Sequence, residues 1–492
     1  MQNNAEINPL DSKFDWKQYI FLVIGVALFL IVYYSPPWAD AIDPSGKHFP
    51  LSKEAKGALA VFLLAGTWWV FEVLPIGVTG LTIGVLQALF FIRPAADAFK
   101  DFMDPSVLFI FASLVIGMVF TKTGLTKRLA YKMLIIVGEK TGMIYLGCLV
   151  VTALLTHVMA HTAVAATIYP LLLAIYSLYT DDIKPTKFGK GLFIGMAYVA
   201  GAGSIITLLG AARGIVALGF YKEITGVDIS FFEITYYLAP VGWAMVFILW
   251  GFLMIFFKPE KAVIPGLREK ARQLNSEMGA LTRNEIIGAV LVFCAIAFMS
   301  LQSFVPALKP FNKSAVILVS TILFFISGIL DINDLEDIPW NIILLFAGAM
   351  SIGFCLWQTG AAEWLAINWL GFFKNSHWFI FVMSIAVFVL VMTNFIMNVA
   401  AIAISLPVAL VVAPYLNIAP EVILYVSLVV AGMPFLLLVG AAPNAIAYNS
   451  KQFTSGEFFK AGIPASIILL VVLGLTILVL WPLMGMPILL AP

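Results

Sequence analysis

The chain has 492 residues, of which 62% are hydrophobic and only 11% charged, with a formal net charge of +1. Soluble domains carry roughly 25% charged residues, so this composition excludes a water-soluble globular protein. The near-neutral balance, without a basic stripe to track phosphates, excludes nucleic acid as a partner.

From the N-terminus, residues 1–17 are polar and carry Asp, Glu and Lys before the first apolar run, a pattern that predicts a cytoplasmic tail and no cleaved signal peptide. Charge-free runs then predict eleven membrane spans, near 18–39, 57–71, 73–92, 105–121, 191–220, 234–257, 286–308, 314–330, 338–362, 422–450 and 461–490. Glu72 and Pro75 split the second run from the third and predict a tight turn, where Glu72 caps or pairs. Two further runs, 141–180 and 375–420, are too long for one crossing, which takes about 20 residues. Each carries a polar point in its middle and reads as a re-entrant hairpin that enters and leaves by one face, at 141–180 and 375–415. The basic stretch 258–285 (Lys258, Lys261, Arg268, Lys270, Arg272, Arg283) is the cytoplasmic linker between a first half, 18–257, and a second, 286–490. Cys148, Cys294 and Cys355 lie in apolar runs and read as buried hydrophobes, not a disulfide framework.

Lysine and arginine positions orient the chain. With the N-terminus cytoplasmic, the loop bearing Lys122, Lys127, Arg128, Lys132 and Lys140, the 181–190 loop and the linker all fall inside. An odd number of spans then inverts the second half against the first. The fold class expected is an all-α polytopic membrane protein built from inverted repeats, in a cell (inner) membrane.

The repeat is legible in residues. Thr156, Ala163, Ala166 and Pro170 recur 237 positions later as Thr393, Ala400, Ala403 and Pro407. Gly117 to Gly124 matches Gly353 to Gly360, and Gly210-Ala211-Ala212-Arg213-Gly214 matches Gly440-Ala441-Ala442-Pro443-Asn444. Paired broken elements in two halves are the best sequence pointer to a transporter's binding site.

At those points the residue types carry chemistry. Asn398, read by itself, caps a half-helix. His161 offers anion contact or a buried structural hydrogen bond. With His157 four residues earlier it also spells H-x-x-x-H on one helix face, but no third ligand or catalytic Glu accompanies the pair for an intramembrane metalloenzyme. Arg213 interrupts an uncharged run, so it is either a fixed cation for a carboxylate or a snorkelling or paired structural charge. Asn444 caps the restarted helix or touches the anion. No P-loop suggests primary active transport.

Here the chain resembles the divalent anion–sodium symporter family of dicarboxylate, citrate and sulfate transporters. Trp68-Trp69-x-x-Glu72-x-x-Pro75-x-x-Val78-Thr79 is similar to its W-W-x-x-E-x-x-P-x-x-V-T segment. The hairpin points resemble its Ser-Asn-Thr tips, and 210–214 and 440–444 its Gly-Thr-Pro-Pro-Asn breaks. The resemblance implies a homodimer with an elevator-type transport domain, no organic cofactor, and sodium as coupling ion. It implies substrate contacts from His161, Thr162, Ala211, Arg213, Asn398, Val399, Ala441, Pro443 and Asn444. It implies sodium ligands at Thr393, Asn398 and Gly440, with Thr156 and Gly210 as the first-half equivalents. The departures are specific: the tips read Ala160-His161-Thr162 and Met397-Asn398-Val399, both breaks carry Ala in place of Thr, and Arg213 replaces Pro. The expected activity is secondary transport of C4-type dicarboxylates, by exchange or with reduced sodium coupling; sodium symport of sulfate-like anions, sulfonates or other oxyanions is the alternative.

Overall fold

A computed structural model describes residues 16–42, 47–180, 184–373 and 377–490, so most of the tail at 1–17 and part of the 181–190 loop lie outside the described residues. Helices dominate, and the only strands among the described residues are β1 (Ala41–Ile42) and β2 (His48–Phe49). Eight helices are long and apolar enough to cross a bilayer, with five shorter apolar helices of 10–17 residues. The all-α polytopic class holds.

Helices α1 (Trp16–Tyr34), α2 (Lys53–Val70), α3 (Ile76–Leu89) and the short α4 (Ala95–Lys100) lead into a first series: α5 (Pro105–Thr123), α6 (Leu125–Val137), α7 (Thr141–Thr156), α8 (His161–Tyr179), α9 (Lys187–Gly203), α10 (Ala212–Thr225) and α11 (Phe231–Phe256). The connector holds α12 (Leu267–Glu277). Then α13 (Arg283–Leu301), α14 (Lys313–Ile326) and α15 (Ile332–Glu336) lead into a second series: α16 (Trp340–Gln358), α17 (Ala361–Phe373), α18 (Trp378–Phe395), α19 (Asn398–Tyr415), α20 (Pro420–Ala431), α21 (Ala442–Tyr448) and α22 (Ser455–Leu475). The two series match element for element. Both α5 and α16 have 19 residues and stop on a left-handed glycine, Gly124 (φ 85°) and Gly360 (φ 79°). Both are followed by a 13-residue helix.

Those 13-residue helices correct the sequence reading. Residues 125–137, within the stretch expected only as a charged segment, form α6, in which Leu125, Ala130 and Leu134 are buried and Lys127 and Lys132 exposed. Cys148 and Cys355 are buried, but Cys294 is exposed on α13 and faces outward.

Close helix contacts set the frame. At the α3–α16 crossing a Cβ on Gly348 would lie 2.3 Å from the Gly80 Cα, so the two backbones touch, as small residues permit in lipid. Beside it, Arg93 Nη1 meets Asp101 Oδ2 at 2.7 Å and Gln87 Oε1 at 3.1 Å, while Gln87 Nε2 donates to Ser351 Oγ. The connector lies along α6. Arg128 on α6 grips Glu285 with Nε at 2.7 Å and Nη2 at 3.1 Å, and donates to the carbonyls of Met278, Gly279 and Ala280. At the connector's start, burial opposes charge on Glu260. The Lys187 and Phe188 N–H groups and the Tyr179 hydroxyl outweigh it, holding that carboxyl below the ordinary carboxylate range. The two series also exchange contacts: α10 packs on α19, and α21 packs on α8.

Candidate functional site

The site forms where two interrupted helix pairs meet two turns. α9 stops at Gly203 and restarts as α10 at Ala212, while α20 stops at Ala431 and restarts as α21 at Ala442. The C-terminal ends of α9 and α20 touch: a Cβ on Gly201 would lie 2.6 Å from the Gly432 carbonyl oxygen. Helix C-termini carry partial negative charge, so this junction is a negative locus buried in the protein. Arg213 answers it. Its guanidinium is 2% exposed, Nη2 donates to Ser204 Oγ at 2.8 Å, and a Cβ on Gly432 would lie 2.7 Å from the same Nη2. Among the described residues Nη1 has no hydrogen-bond partner and no carboxylate pairs with the group. Arg213 therefore sits between the two breaks as a fixed cation at the helix ends.

At the first turn, α7 ends at Thr156, whose Oγ1 donates to the Ala153 carbonyl at 2.6 Å. Thr207 Oγ1 in the break donates to the His157 carbonyl at 2.8 Å and ties turn to break. α8 begins at His161, and the His161 backbone N–H donates to the Gly210 carbonyl at 3.0 Å. The His161 Nδ1 lies 3.2 Å from the same oxygen. A carbonyl only accepts, so Nδ1 carries a proton. The Gly210 Cα also abuts Thr156, since a Cβ there would lie 2.6 Å from the Thr156 carbonyl oxygen. Thr162 is half-buried and Ala211, the N-cap of α10, is buried. His157 and His161 do not share a helix face. One closes α7, the other opens α8, and the turn between them separates the two rings. The His157 ring sits edge-on to Trp243 at 5.5 Å. Among the described residues no cluster of three metal-ligating His, Cys, Asp or Glu occurs.

At the second turn the same backbone layout carries different groups. Thr393 Oγ1 lies 2.9 Å from Asn398 Oδ1 and 3.1 Å from the Ala431 carbonyl. A Cβ on Gly440 would lie 2.9 Å from the Thr393 carbonyl oxygen, which brings break and turn together. Among the described residues no donor from 393–398 reaches the Gly440 carbonyl. Asn398 is 7% exposed, Val399 and Pro443 are buried, and Ala441 is half-buried. Asn444 Nδ2 donates to the carbonyls of Pro434 (2.8 Å) and Leu437 (3.1 Å), so it braces the break from within. Asn394, which the sequence reading passed over, does the joining here. Its Oδ1 accepts from the N–H groups of Leu436 (2.8 Å) and Leu437 (3.1 Å), and its Nδ2 donates to Leu390 O. The signal was available: Asn394 stands 237 positions after His157, beside Thr393.

The donor sets decide what each turn can hold. Neutral oxygens from Thr393, Asn398 and Gly440 suit a hard monovalent cation. The equivalent first-half set does not, because His161 brings two donors to the one carbonyl that a cation needs. An anion has other partners. α8, α10 and α19 begin on Ala160, Ala211 and Met397, none of which caps its helix with a side chain. Ser52, Thr186, Ser230 and Thr282 do cap α2, α9, α11 and α13. The central starts thus lack side-chain caps and keep a positive dipole end, although the first N–H of α8, that of His161, is taken by the Gly210 carbonyl.

A cavity of about 250 Å³ lies against the second turn, between Phe395, Ile396, Met397, Val439 and the α2–α3 turn. A larger one, about 950 Å³, is bounded by α10, α11, α13 and α14; two of its lysines, Lys222 and Lys313, both pair with Asp228.

Comparison with known proteins identifies the family. Residues 17–487 match the family described as the sodium:sulfate symporter transmembrane region. A sodium-dependent dicarboxylate transporter, SdcS, of Staphylococcus saprophyticus is 24% identical over 96% of this chain and 93% of its own. Its counterpart in Staphylococcus aureus (strain USA300) is 25% identical over 94% and 92%. Among solved structures, the Alcanivorax borkumensis YdaH transporter covers 96% of this chain and 98% of its own with a TM-score of 0.56 at 12% identity. Neisseria gonorrhoeae MtrF gives a TM-score of 0.56 at 12% identity, over 94% and 93%. These two show likeness of fold alone. With a family match across nearly its whole length, the chain belongs to the sodium:sulfate symporter transmembrane family and is a multi-pass membrane transporter, not an enzyme.

Proposed function

We propose that the chain carries small divalent organic anions of the C4-dicarboxylate type, with one coupling sodium at the second turn and a protein-borne cation in place of another at the first. The observation that carries this reading is the unequal treatment of two equivalent carbonyls: Gly210 O receives the His161 N–H and faces Nδ1, while Gly440 O meets neither from its turn. Thr393, Asn398 and Gly440 hold the sodium. The anion lies against the free helix starts at His161-Thr162, Ala211 and Asn398-Val399, with Ala441, Pro443 and Asn444 behind it. The names of the staphylococcal relatives favour a dicarboxylate over sulfate.

An unpaired charge inside a membrane protein costs several kcal/mol, so a dianion needs compensating positive charge to cross. The Arg213 guanidinium supplies part of it but cannot leave with the substrate. The empty carrier therefore keeps an uncompensated charge and returns slowly, which favours exchange or uptake driven by fewer sodium ions. The wider frame combines the sequence reading (re-entrant hairpins in inverted repeats, and an inner-membrane location with the N-terminus cytoplasmic) with what the family resemblance implies, an elevator movement and a homodimer.

Counterflow in proteoliposomes tests it, with dicarboxylates, tricarboxylates, sulfate and sulfonates offered with and without sodium. Dicarboxylate counterflow with marked trans-stimulation and a sodium dependence of order one is expected. Steep multi-ion sodium dependence without trans-stimulation, or a preference for sulfate, overturns the proposal.

A further inference from the structure

Glu72, exposed in the α2–α3 turn, is the one carboxylate residue lining the cavity against the second turn. Besides Glu72, that 250 Å³ space is lined by apolar side chains and alanine: Trp69, Val70, Phe71 and Ile76 from the turn, Leu345 from α16, and Phe395, Ile396, Met397, Ala400 and Val439 from the second hairpin and break. Ile396 and Met397 lead directly into Asn398, and Val439 directly into Gly440, so the cavity wall is the outer side of the cation-ligating set. Glu72 is held there against its own preference. It has φ 47°, one of four non-glycine residues with positive φ among the described residues, a conformation that costs of order 1 kcal/mol. Among the described residues no hydrogen bond or ion pair to its carboxylate accounts for that conformation.

The mounting is rigid. Trp69 Nε1 donates to the Ile76 carbonyl across the turn at 3.2 Å, the Gly77 N–H donates to Asn341 Oδ1 on α16 at 2.8 Å, and α3 then crosses α16 in backbone contact at Gly80 and Gly348. A negative charge fixed at the mouth of an otherwise apolar space repels a dicarboxylate and concentrates cations. Glu72 is exposed, so its field acts at short range and is weakened by salt.

We propose that the Glu72 carboxylate is a loading site for sodium, which it draws into this cavity and passes to Thr393, Asn398 and Gly440. The inference rests on the sodium assignment above and assigns Glu72 a role that neither a helix cap nor a structural ion pair would give it. Cation and anion then approach the centre by different walls: sodium past Glu72, the dianion from the side of the free helix starts.

The test measures uptake in proteoliposomes at saturating dicarboxylate while sodium is varied at constant ionic strength with choline. The melting shift that sodium gives the purified protein is recorded alongside. Glu72→Gln is expected to raise the half-saturating sodium concentration roughly 3- to 10-fold, the scale of one partly screened charge. Maximal rate and dicarboxylate KM at saturating sodium stay unchanged. Glu72→Gly removes the charge while relaxing the backbone, and must show the same shift; Glu72→Asp must largely keep the wild-type value. Raising ionic strength should weaken sodium dependence in the wild type and leave Glu72→Gln unaffected. Wild-type sodium affinity in both neutral variants, or a loss that persists at saturating sodium, overturns the loading role. If sodium alters neither uptake nor melting of the wild type, the ligand assignment behind it falls as well. If Asn398→Ala abolishes the sodium response and Glu72→Gln matches the wild type, only the Glu72 inference fails.

Discussion

At the first turn the Gly210 carbonyl accepts from the His161 backbone, with the ring Nδ1 3.2 Å away, and an arginine fills the space beside the break. At the second, Thr393 and Asn398 face each other with no cationic side chain between them, and proline stands where the arginine would be. The order of helices and turns is the same in both, but the backbone bond from His161 to Gly210 has no equivalent at Gly440, and the side chains around each turn differ. A permanent charge steadies the contact of two helix C-termini in every step of a cycle. On the proposed reading, the second turn instead borrows its positive charge as a sodium ion that travels with the substrate. The comparison teaches that duplication preserves geometry more tightly than ligand chemistry.

The largest effect that sharpens this contrast is expected at the second turn. Asn398→Ala removes an amide oxygen and leaves the buried Thr393 hydroxyl one partner short, so uptake should fall by at least about 100-fold while the protein still folds. Uptake and size-exclusion behaviour of the variant check it, and normal uptake at saturating sodium would break the contrast. Next, converting the first turn toward the second should move the coupling. In His161→Asn with Arg213→Pro, sodium dependence is expected to steepen and trans-stimulation to shrink several-fold. Proline is tolerated at this position of α10 because it falls in the first turn of the helix, as Pro443 does in α21. Unchanged sodium order in that double variant would show that the first turn holds no latent cation site.

A third change tests the junction between the halves. Gly432→Ala brings a methyl to 2.4 Å from Ile205 Cγ2 and 2.7 Å from Arg213 Nη2, so it should displace the guanidinium and cost about 1–3 kcal/mol in stability. Thermal melting of the purified variant measures it, and a wild-type melting temperature would mean that the breaks meet less closely than described. The smallest effect is at the connector. The Glu260 carboxyl is held below its ordinary value, so its contribution to stability is present above the ordinary carboxylate range and is lost as pH falls through the lowered value. Glu260→Gln should therefore melt about 1–2 °C lower at pH 7, and the difference should vanish in acid. A difference that persists unchanged at low pH would contradict the role of charge there.

Much of the architecture is legible in the sequence because lipid imposes it. Uncharged runs mark helices, and the Thr-to-Pro repeat at 156–170 and 393–407 marks where both halves turn. What hydropathy missed is amphipathic. α6 carries Lys127, Arg128 and Lys132 and reads as loop, and α17 follows Gly360 so closely that its start merges with the preceding run. At the site, Asn398 and Thr393 were visible as polar residues in apolar surroundings. The setting of Arg213 was not: its neighbours, Ser204 and Gly432, come from two interruptions far apart in sequence, and one of them has no side chain to advertise the contact. His157 and His161 illustrate the opposite error, since four-residue spacing implies a shared face only where the helix is unbroken.

The exchange of contacts between the two series, α10 on α19 and α21 on α8, bears on how the chain is made. Each restarted helix packs on a hairpin helix of the other half, so the first hairpin leaves the insertion machinery before α21 exists. Until then, its polar turn and the buried arginine must be sheltered by lipid-embedded intermediates, by other membrane components, or by delayed closure of the half itself. Quality control acting on this protein would meet that unfinished first half, with Arg213 lacking Gly432, as its characteristic substrate. Truncation after α11 should therefore produce a species that is inserted but rapidly degraded.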